Sequence, residues 1–380
     1  MTDSPISHVY VHVPFCSSKC TYCALYSTVH RDEPARDYVA ALKLEIEKSA
    51  QSFGFRGPDT IFFGGGTPTQ LSDELYAELA EHIRDSVCPA VDAEWTSECA
   101  PGTLTAAKLR TMRAVGINRL SFGVQSLDNE VLKSINRRHN AQDVADTFRM
   151  AREAGIDRVG LDLIACLPGV SDARWCEDLE QALTLSPEHI SVYGLTPEPG
   201  TVLVHQAERG EVTLWDEETY FRRLDHTETF LTQRGFERYE ISNYAKEGRR
   251  CRHNMAYWSG RDYIGFGPGA SSRVGLMRWT NTPDVKGYSK ALLRGDAVPR
   301  TEEHVTPEED LSERCMFAIR TGDGLHLPHE DGPFSALYAN WRDGLAALET
   351  NGLVRREDER WHLTHAGRWM ADTVAAALLN

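Results

Sequence analysis

Apolar and polar positions in the first half of the chain switch repeatedly between a period near two and a period near four. The run His8-Val9-Tyr10-Val11-His12-Val13-Pro14-Phe15 is strand-like, and Thr60-Ile61-Phe62-Phe63 reads as a buried strand. Between them, Glu33 to Phe53 places Tyr38, Val39, Leu42, Ile46 and Ala50 at three- and four-residue intervals, which predicts a helix. The alternation continues with helices over 73–86, 106–115, 129–135, 142–154 and 174–183, and with strands over 93–98, 119–124, 158–164 and 189–195. Counting the first strand gives six βα-type repeats. Such a rhythm predicts a parallel sheet with right-handed crossovers, hence an α/β barrel or a doubly wound sheet.

Past residue 200 the rhythm fades. A helix is expected over 217–233 and a strand over 237–241, followed by an aromatic- and glycine-rich stretch that begins with Cys251–Trp258. From Thr306 onward the character changes again. A helix over 335–351 ending at Gly352, short strands at 353–355 and 361–363, and a helix over 366–379 suggest a small winged-helix-like α+β module. The divisions expected are a barrel over 1–235, an extension over 236–300 and this module over 301–380, the last covering the open side of the barrel.

Composition changes the picture mainly by exclusion. Hydrophobic content of 41% and charged content of 26% are ordinary for a globular protein. A net charge of −15, with Glu357, Asp358 and Glu359 in the wing, argues against nucleic acid as a partner. There is no basic segment leading into an apolar one at the N-terminus and no apolar run long enough to span a bilayer, so a cytoplasmic protein without an integral membrane segment is expected. The nine cysteines are an odd number with three clustered, which suits a reducing compartment and a metal site better than a disulfide framework.

Those three form the run Cys16-Ser17-Ser18-Lys19-Cys20-Thr21-Tyr22-Cys23, directly after the first strand. Thiolates so spaced can hold one iron-sulfur cluster and leave one iron without a protein ligand, an open position for a small molecule. A zinc site with a distant fourth ligand, or three unrelated buried cysteines, are the alternatives. The turn Gly64-Gly65-Gly66-Thr67-Pro68 follows the second strand, where missing Cβ atoms let the backbone approach a ligand. No Lys-Ser/Thr pair follows it, which excludes a nucleotide P-loop. Glu98, Gln125, Asp162 and Tyr193 all fall at the C-terminal ends of strands, where barrel active sites are built.

C-x3-C-x2-C with an aromatic residue before its last cysteine resembles the radical S-adenosylmethionine (SAM) superfamily. The resemblance implies a partial, six-stranded barrel, a 4Fe-4S cluster on Cys16, Cys20 and Cys23, and SAM on the open iron. It sharpens over nearly the whole chain. His12-Val13-Pro14-Phe15-Cys16, Phe63 to Thr69, Gly123-Val124-Gln125-Ser126, Leu161-Asp162-Leu163-Ile164 and Tyr239 to Ala245 are similar to the coproporphyrinogen dehydrogenase (HemN-like) group. His253-Asn254-Met255-Ala256-Tyr257-Trp258 matches the H-N-x-x-Y-W signature of HemW-type haem chaperones. Carried over position by position, SAM contacts fall on Tyr10, Tyr22, Gly65, Gly66, Thr67, Glu98, Gln125, Arg137, Asp162 and Gly194. The dehydrogenases have a further cysteine where this chain has Leu25, which argues against oxidative decarboxylation. Other departures are Ala24, Ala100, Ala165-Cys166 and Ser271.

The resemblance implies a protein that binds haem and passes it to an acceptor protein, with an electron donor for the cluster. A class C radical SAM methyltransferase acting on an aromatic substrate, and a scaffold whose cluster is only structural, are the alternatives. If 251–258 is helical, His253 and Tyr257 share one face, so an imidazole and an aromatic ring can address one ligand. That makes His253 the candidate axial ligand of haem and Cys251 a thiolate alternative. The other reading is a hydrogen-bonded part of a packed segment.

Overall fold

The computed structural model describes residues 6–53, 55, 57–327 and 333–378. Its centre is a sheet that contains the six expected parallel strands: β1 (His8–Val13), β2 (Thr60–Gly65), β3 (Glu94–Cys99), β4 (Arg119–Gln125), β5 (Arg158–Ile164) and β6 (His189–Tyr193). Neighbours pair in sequence order, as right-handed βα crossovers require, with His8 opposite Thr60 and Gly160 opposite His189. Helices Asp32–Phe53, Asp73–Val87, Ala106–Val115, Ala141–Glu153 and Asp172–Thr184 make the crossovers. Strands buried on both faces read as apolar runs, and Val9, Val11, Ile61, Phe63, Leu120, Phe122, Val159 and Leu161 are all buried in one core with the helices' inner faces.

Three short strands extend the sheet. The expected strand over 237–241 is reduced to β7 (Glu237–Arg238), which pairs antiparallel with β8 (Asn243–Ala245), itself antiparallel to β6. On the opposite edge β9 (Ile264–Phe266) lies parallel to β1. The sheet therefore runs β9-β1-β2-β3-β4-β5-β6-β8-β7, and its two edges do not pair with each other. The barrel is open, and residues of the 236–300 segment form strands at both of its edges. Gly265 fits this edge because a Cβ there would sit 2.2 Å from the Ser271 carbonyl oxygen.

The C-terminal module has its own core around Trp341, Leu345, Val354, Trp361 and Val374. Its strands Leu325–His326, Arg360–Leu363 and Val354–Glu357 form a three-stranded antiparallel sheet, one strand more than expected. The expected helix 366–379 is two, His365–Trp369 and Ala371–Ala377, and position 379 lies outside the described residues. The module packs on the outer helix Glu217–Thr232, with the rings of Phe221 and Trp369 stacked at 4.4 Å and Trp369 Nε1 donating to Asp225 at 3.1 Å. It also touches segments next to both edges of the open sheet, with Gly322 N–H donating to the Tyr239 carbonyl at 2.8 Å and Arg278 paired with Glu313 at 2.7 Å. No described helix is long and apolar enough to cross a membrane.

Candidate functional site

The loops at the C-terminal ends of the parallel strands surround a cavity of about 710 Å³, within the ~300–1,000 Å³ usual for small-molecule sites. Cys16, Cys20 and Cys23 line it, together with Tyr22, Gly65, Gly66, Thr67, Glu98, Gln125, Arg137, Asp162 and Gly194. The cysteine loop is fixed at its base by a parallel bridge between Phe15–Cys16 and Thr28–Val29. It is fixed above by Asn136 donating to the Lys19 carbonyl at 2.8 Å and by Thr21 N–H donating to the Ile135 carbonyl at 3.2 Å. The glycine turn is laced to it by Gly66 N–H on the Val13 carbonyl and Thr67 N–H on the Phe15 carbonyl, both at 2.8 Å. A Cβ on Gly66 would stand 2.7 Å from the Phe15 carbonyl oxygen, so this close approach requires glycine.

Two buried carboxylates face the cavity. Asp162 accepts from the Ser121 hydroxyl at 3.2 and 3.3 Å. Glu98 accepts from Gly65 N–H at 3.2 Å. Burial, then the neighbouring Asp162 charge, push the Glu98 carboxyl up to about 8. Burial also raises Asp162, against the Ser191 and Ser121 hydroxyls and the Arg119 charge, which favour its ionised form. Gln125 ends β4 in the left-handed region, φ 70°, where the register with β5 shifts, a bulge that interrupts regular strand alternation at the cavity. Ser121, Ser191 and Arg119 escape sequence reasoning because a serine or arginine inside a strand carries no signal until its neighbours in the sheet are known.

The thiols and their surroundings fit an anionic iron-sulfur cluster. All three cysteines are free of disulfides and partly accessible. Arg137 places Nη1 3.6 Å from Cys20 Sγ and donates through Nη2 to the Gly123 carbonyl, which holds its positive charge beside the cysteine loop. Among the described residues no three metal-ligating side chains converge on a single-ion site. In a cubane each thiolate binds its own iron, so the three sulfurs need not meet at one point.

Two expected site residues stand back from the cavity lining. The Tyr10 hydroxyl is 3.2 Å from His12 Nδ1 on the same strand, and Tyr10 is near enough to Glu98 for that carboxylate's charge to act on it. His253 sits beside Thr60, at the N-terminal end of β2, far along the strand from the glycine turn. It is 1% exposed, and both ring nitrogens are engaged, Nδ1 with Thr60 Oγ1 at 2.7 Å and Nε2 with the Tyr257 hydroxyl at 2.9 Å. Its helix, Arg252–Trp258, plugs the barrel floor. Glu94, at the start of β3, receives the helix's first N–H groups, from Arg252 at 2.8 Å and His253 at 3.3 Å. Cys251 is fully buried there, and desolvation pushes its thiol up to about 12, so it is no thiolate. The expectation of His253 or Cys251 as an axial haem ligand is corrected on these grounds: neither has a free, accessible donor atom.

Comparison with known proteins agrees with the fold and the cavity. The family model of the radical SAM superfamily matches residues 10–182, and that of the HemN C-terminal domain matches residues 305–370. The chain is 34% identical to the heme chaperone HemW of Bacillus subtilis, covering 98% of both chains. It is 36% identical to the Escherichia coli heme chaperone HemW over 76% of this chain and 77% of that one. The solved structure of coproporphyrinogen III oxidase (HemN) from Escherichia coli, a radical SAM enzyme, superposes with a TM-score of 0.84 at 27% identity, over 98% of this chain and 90% of that one. With the cysteine triad, the glycine turn and the HNxxYW helix each in place in a matching architecture, the chain belongs to the HemW family within the radical SAM superfamily.

Proposed function

We propose that this protein is a haem chaperone: it binds haem and passes it to an acceptor protein, with a 4Fe-4S cluster on Cys16, Cys20 and Cys23 and SAM beside it. The observation that carries the reading is the likeness to heme chaperones HemW along the whole chain, module included. Leu25 supports it, since it is a side chain that ligates no metal where the HemN-like dehydrogenases have cysteine.

When bound, the cluster supplies an iron with a free coordination position and a route for one electron from a donor protein. The residues around it act as a binding frame. Arg137 offers guanidinium donors to a carboxylate, Glu98 and Asp162 offer acceptors to hydroxyl or amino groups, and the Gly65-Gly66 backbone leaves room for a flat ring. Ser121 holds Asp162 in one orientation, so that acceptor is preset before a ligand arrives.

The test is the product. Anaerobically reconstituted protein given haem and SAM should form a one-to-one haem complex, surrender the haem to an apo-acceptor, and turn SAM over slowly or not at all. Formation of S-adenosylhomocysteine with a methylated aromatic product would replace the chaperone with the methyltransferase.

A further inference from the structure

The chain as a whole carries a net charge of −15, yet the sign changes around the cysteines. Residues 15–30 and 131–142 contain Lys19, Lys133, Arg137 and Arg138 and no acidic residue. The two stretches are bound to each other as one surface. The Ser18 hydroxyl donates to the Asn136 carbonyl at 2.9 Å, the Asn136 amide donates back to the Lys19 carbonyl at 2.8 Å, and Asn136 N–H donates to the Lys133 carbonyl at 3.1 Å. Lys133 and Arg138 are exposed, and neither side chain makes an ion pair or hydrogen bond among the described residues. Lys19 is folded over the loop, its Nζ donating to the Leu25 carbonyl and, at 3.1 Å, to the Ser27 hydroxyl. Of the acids nearby, Asp143 accepts from Asn140 N–H at 2.9 Å, Glu208 pairs with His205 at 3.2 Å, and Glu130 is exposed on the helix Asn129–Ser134. Beside the cations the loop exposes two large apolar side chains, Leu25 at 62% and Val29 at 54%, and Val29 lies in register with Cys16. An apolar centre within a charged rim is the make-up of a protein interface.

We propose that this surface is where an acidic one-electron carrier protein docks to reduce the cluster, with Lys19, Lys133 and Arg138 meeting its carboxylates and Leu25 and Val29 at the centre of the contact. The proposal rests on the cluster reading and gives the chemistry and the seat of the donor which that reading requires. Position decides the kind of partner. Lys19 is covalently joined to Cys20 and Val29 is paired with Cys16, so a protein seated here stands next to two of the three thiolates. One electron passes from the reduced carrier, which is thereby oxidised, to the thiolate-ligated iron; no bond forms and no proton moves. A transient electron-transfer contact needs little area, under roughly 1,200 Å². Opposite charge across it serves the rate of encounter more than the strength of the complex. An acidic carrier is repelled by the chain's net charge and drawn to this face, which steers it to the cysteines.

The experiment is stopped-flow reduction of the full-length, cluster-loaded protein, followed through the donor's own absorbance as it is oxidised. Reduced flavodoxin, an acidic protein, is the carrier, and reduced methyl viologen, a small cation, is the control. Lys133→Glu combined with Arg138→Glu reverses the charge of the patch, and Lys133→Arg combined with Arg138→Lys keeps it. The proposal expects the wild-type rate with flavodoxin to fall as salt rises, and the charge-reversed variant to react about tenfold more slowly at low salt and to lose most of the salt dependence. The charge-keeping variant should react as the wild type does, and methyl viologen should reduce all three proteins at no less than the wild-type rate. Affinity for oxidised flavodoxin, measured by calorimetry at low salt, should fall in the charge-reversed variant alone. Wild-type rate and salt dependence in that variant would overturn the docking surface and leave the cluster reading standing. Equal slowing with methyl viologen would overturn it too, because the loss would then lie in the cluster itself. Unaltered reaction with flavodoxin together with weakened haem transfer to an apo-acceptor would give the surface to the acceptor instead. A wild type without the ~400 nm absorbance of thiolate-ligated iron would overturn both readings.

Discussion

If the HNxxYW helix is a structural plug, the residue that holds it is Glu94, and removing Glu94 should destabilise the barrel without touching the cavity. The Glu94 side chain is fully buried, 3.3 Å from Arg158, and accepts from two backbone N–H groups of the plug helix. In Glu94→Ala those groups lose their acceptor and the buried Arg119 loses a nearby counter-charge. Breaking a buried charge pair by removing one partner costs about 3–5 kcal/mol. At ~2.1 cal/mol/K per residue, 380 residues unfolding as one unit carry an entropy near 0.8 kcal/mol/K, so the loss corresponds to a fall in Tm of about 4–6 °C. Glu94→Gln keeps an oxygen for the helix but not the charge, and should fall by about a third as much. The assay is calorimetry or circular dichroism of the reconstituted protein, with iron content measured alongside. A Tm for Glu94→Ala within about 1 °C of wild type would refute the reasoning, because it would mean that the helix is held by its apolar face alone.

Other outcomes follow from the cavity. Cys16→Ala, Cys20→Ala or Cys23→Ala should each remove most of the ~400 nm absorbance of thiolate-ligated iron, whereas Cys99→Ala, Cys166→Ala and Cys315→Ala should keep it. Gly66→Ala should lower cluster occupancy, since its Cβ meets Phe15 backbone that has no room to yield; occupancy equal to wild type would contradict the close approach. Glu98 gives a pH dependence. Its folded pKa of about 8 lies above the unfolded value, so between roughly pH 4.5 and 8 the folded protein keeps a proton that the unfolded chain releases, and stability falls as pH rises through that window. Glu98→Gln has no such proton, so its Tm relative to wild type should rise from pH 5 to pH 8; a constant difference would count against the shift.

The alternation of β1 to β6 with helices was legible because buried parallel strands are short apolar runs between amphipathic helices, a local property. The cysteine loop, Gly65-Gly66, Glu98, Gln125 and Asp162 were legible for the same reason: each follows or ends a recognisable strand, and strand order then brings them to one rim. What failed depends on contacts between distant segments. Ile264-Gly265-Phe266 is too short to show a period, and only its place beside β1 makes it a strand. The spacing of His253 and Tyr257 suggested a shared face, which the structure has, but only the hydrogen bonds to Glu94 and Thr60 reveal that the face looks into the floor.

The proposed function requires that Cys16, Cys20 and Cys23 hold a cluster whose fourth iron opens into the cavity that takes SAM. Electron paramagnetic resonance of the reduced, reconstituted protein with and without saturating SAM tests it most directly. The expected result is a changed signal in the wild type, and a weakened change in Asp162→Ala at unaltered iron content. A wild-type spectrum identical in the presence and absence of SAM would contradict it and leave the cluster a structural one.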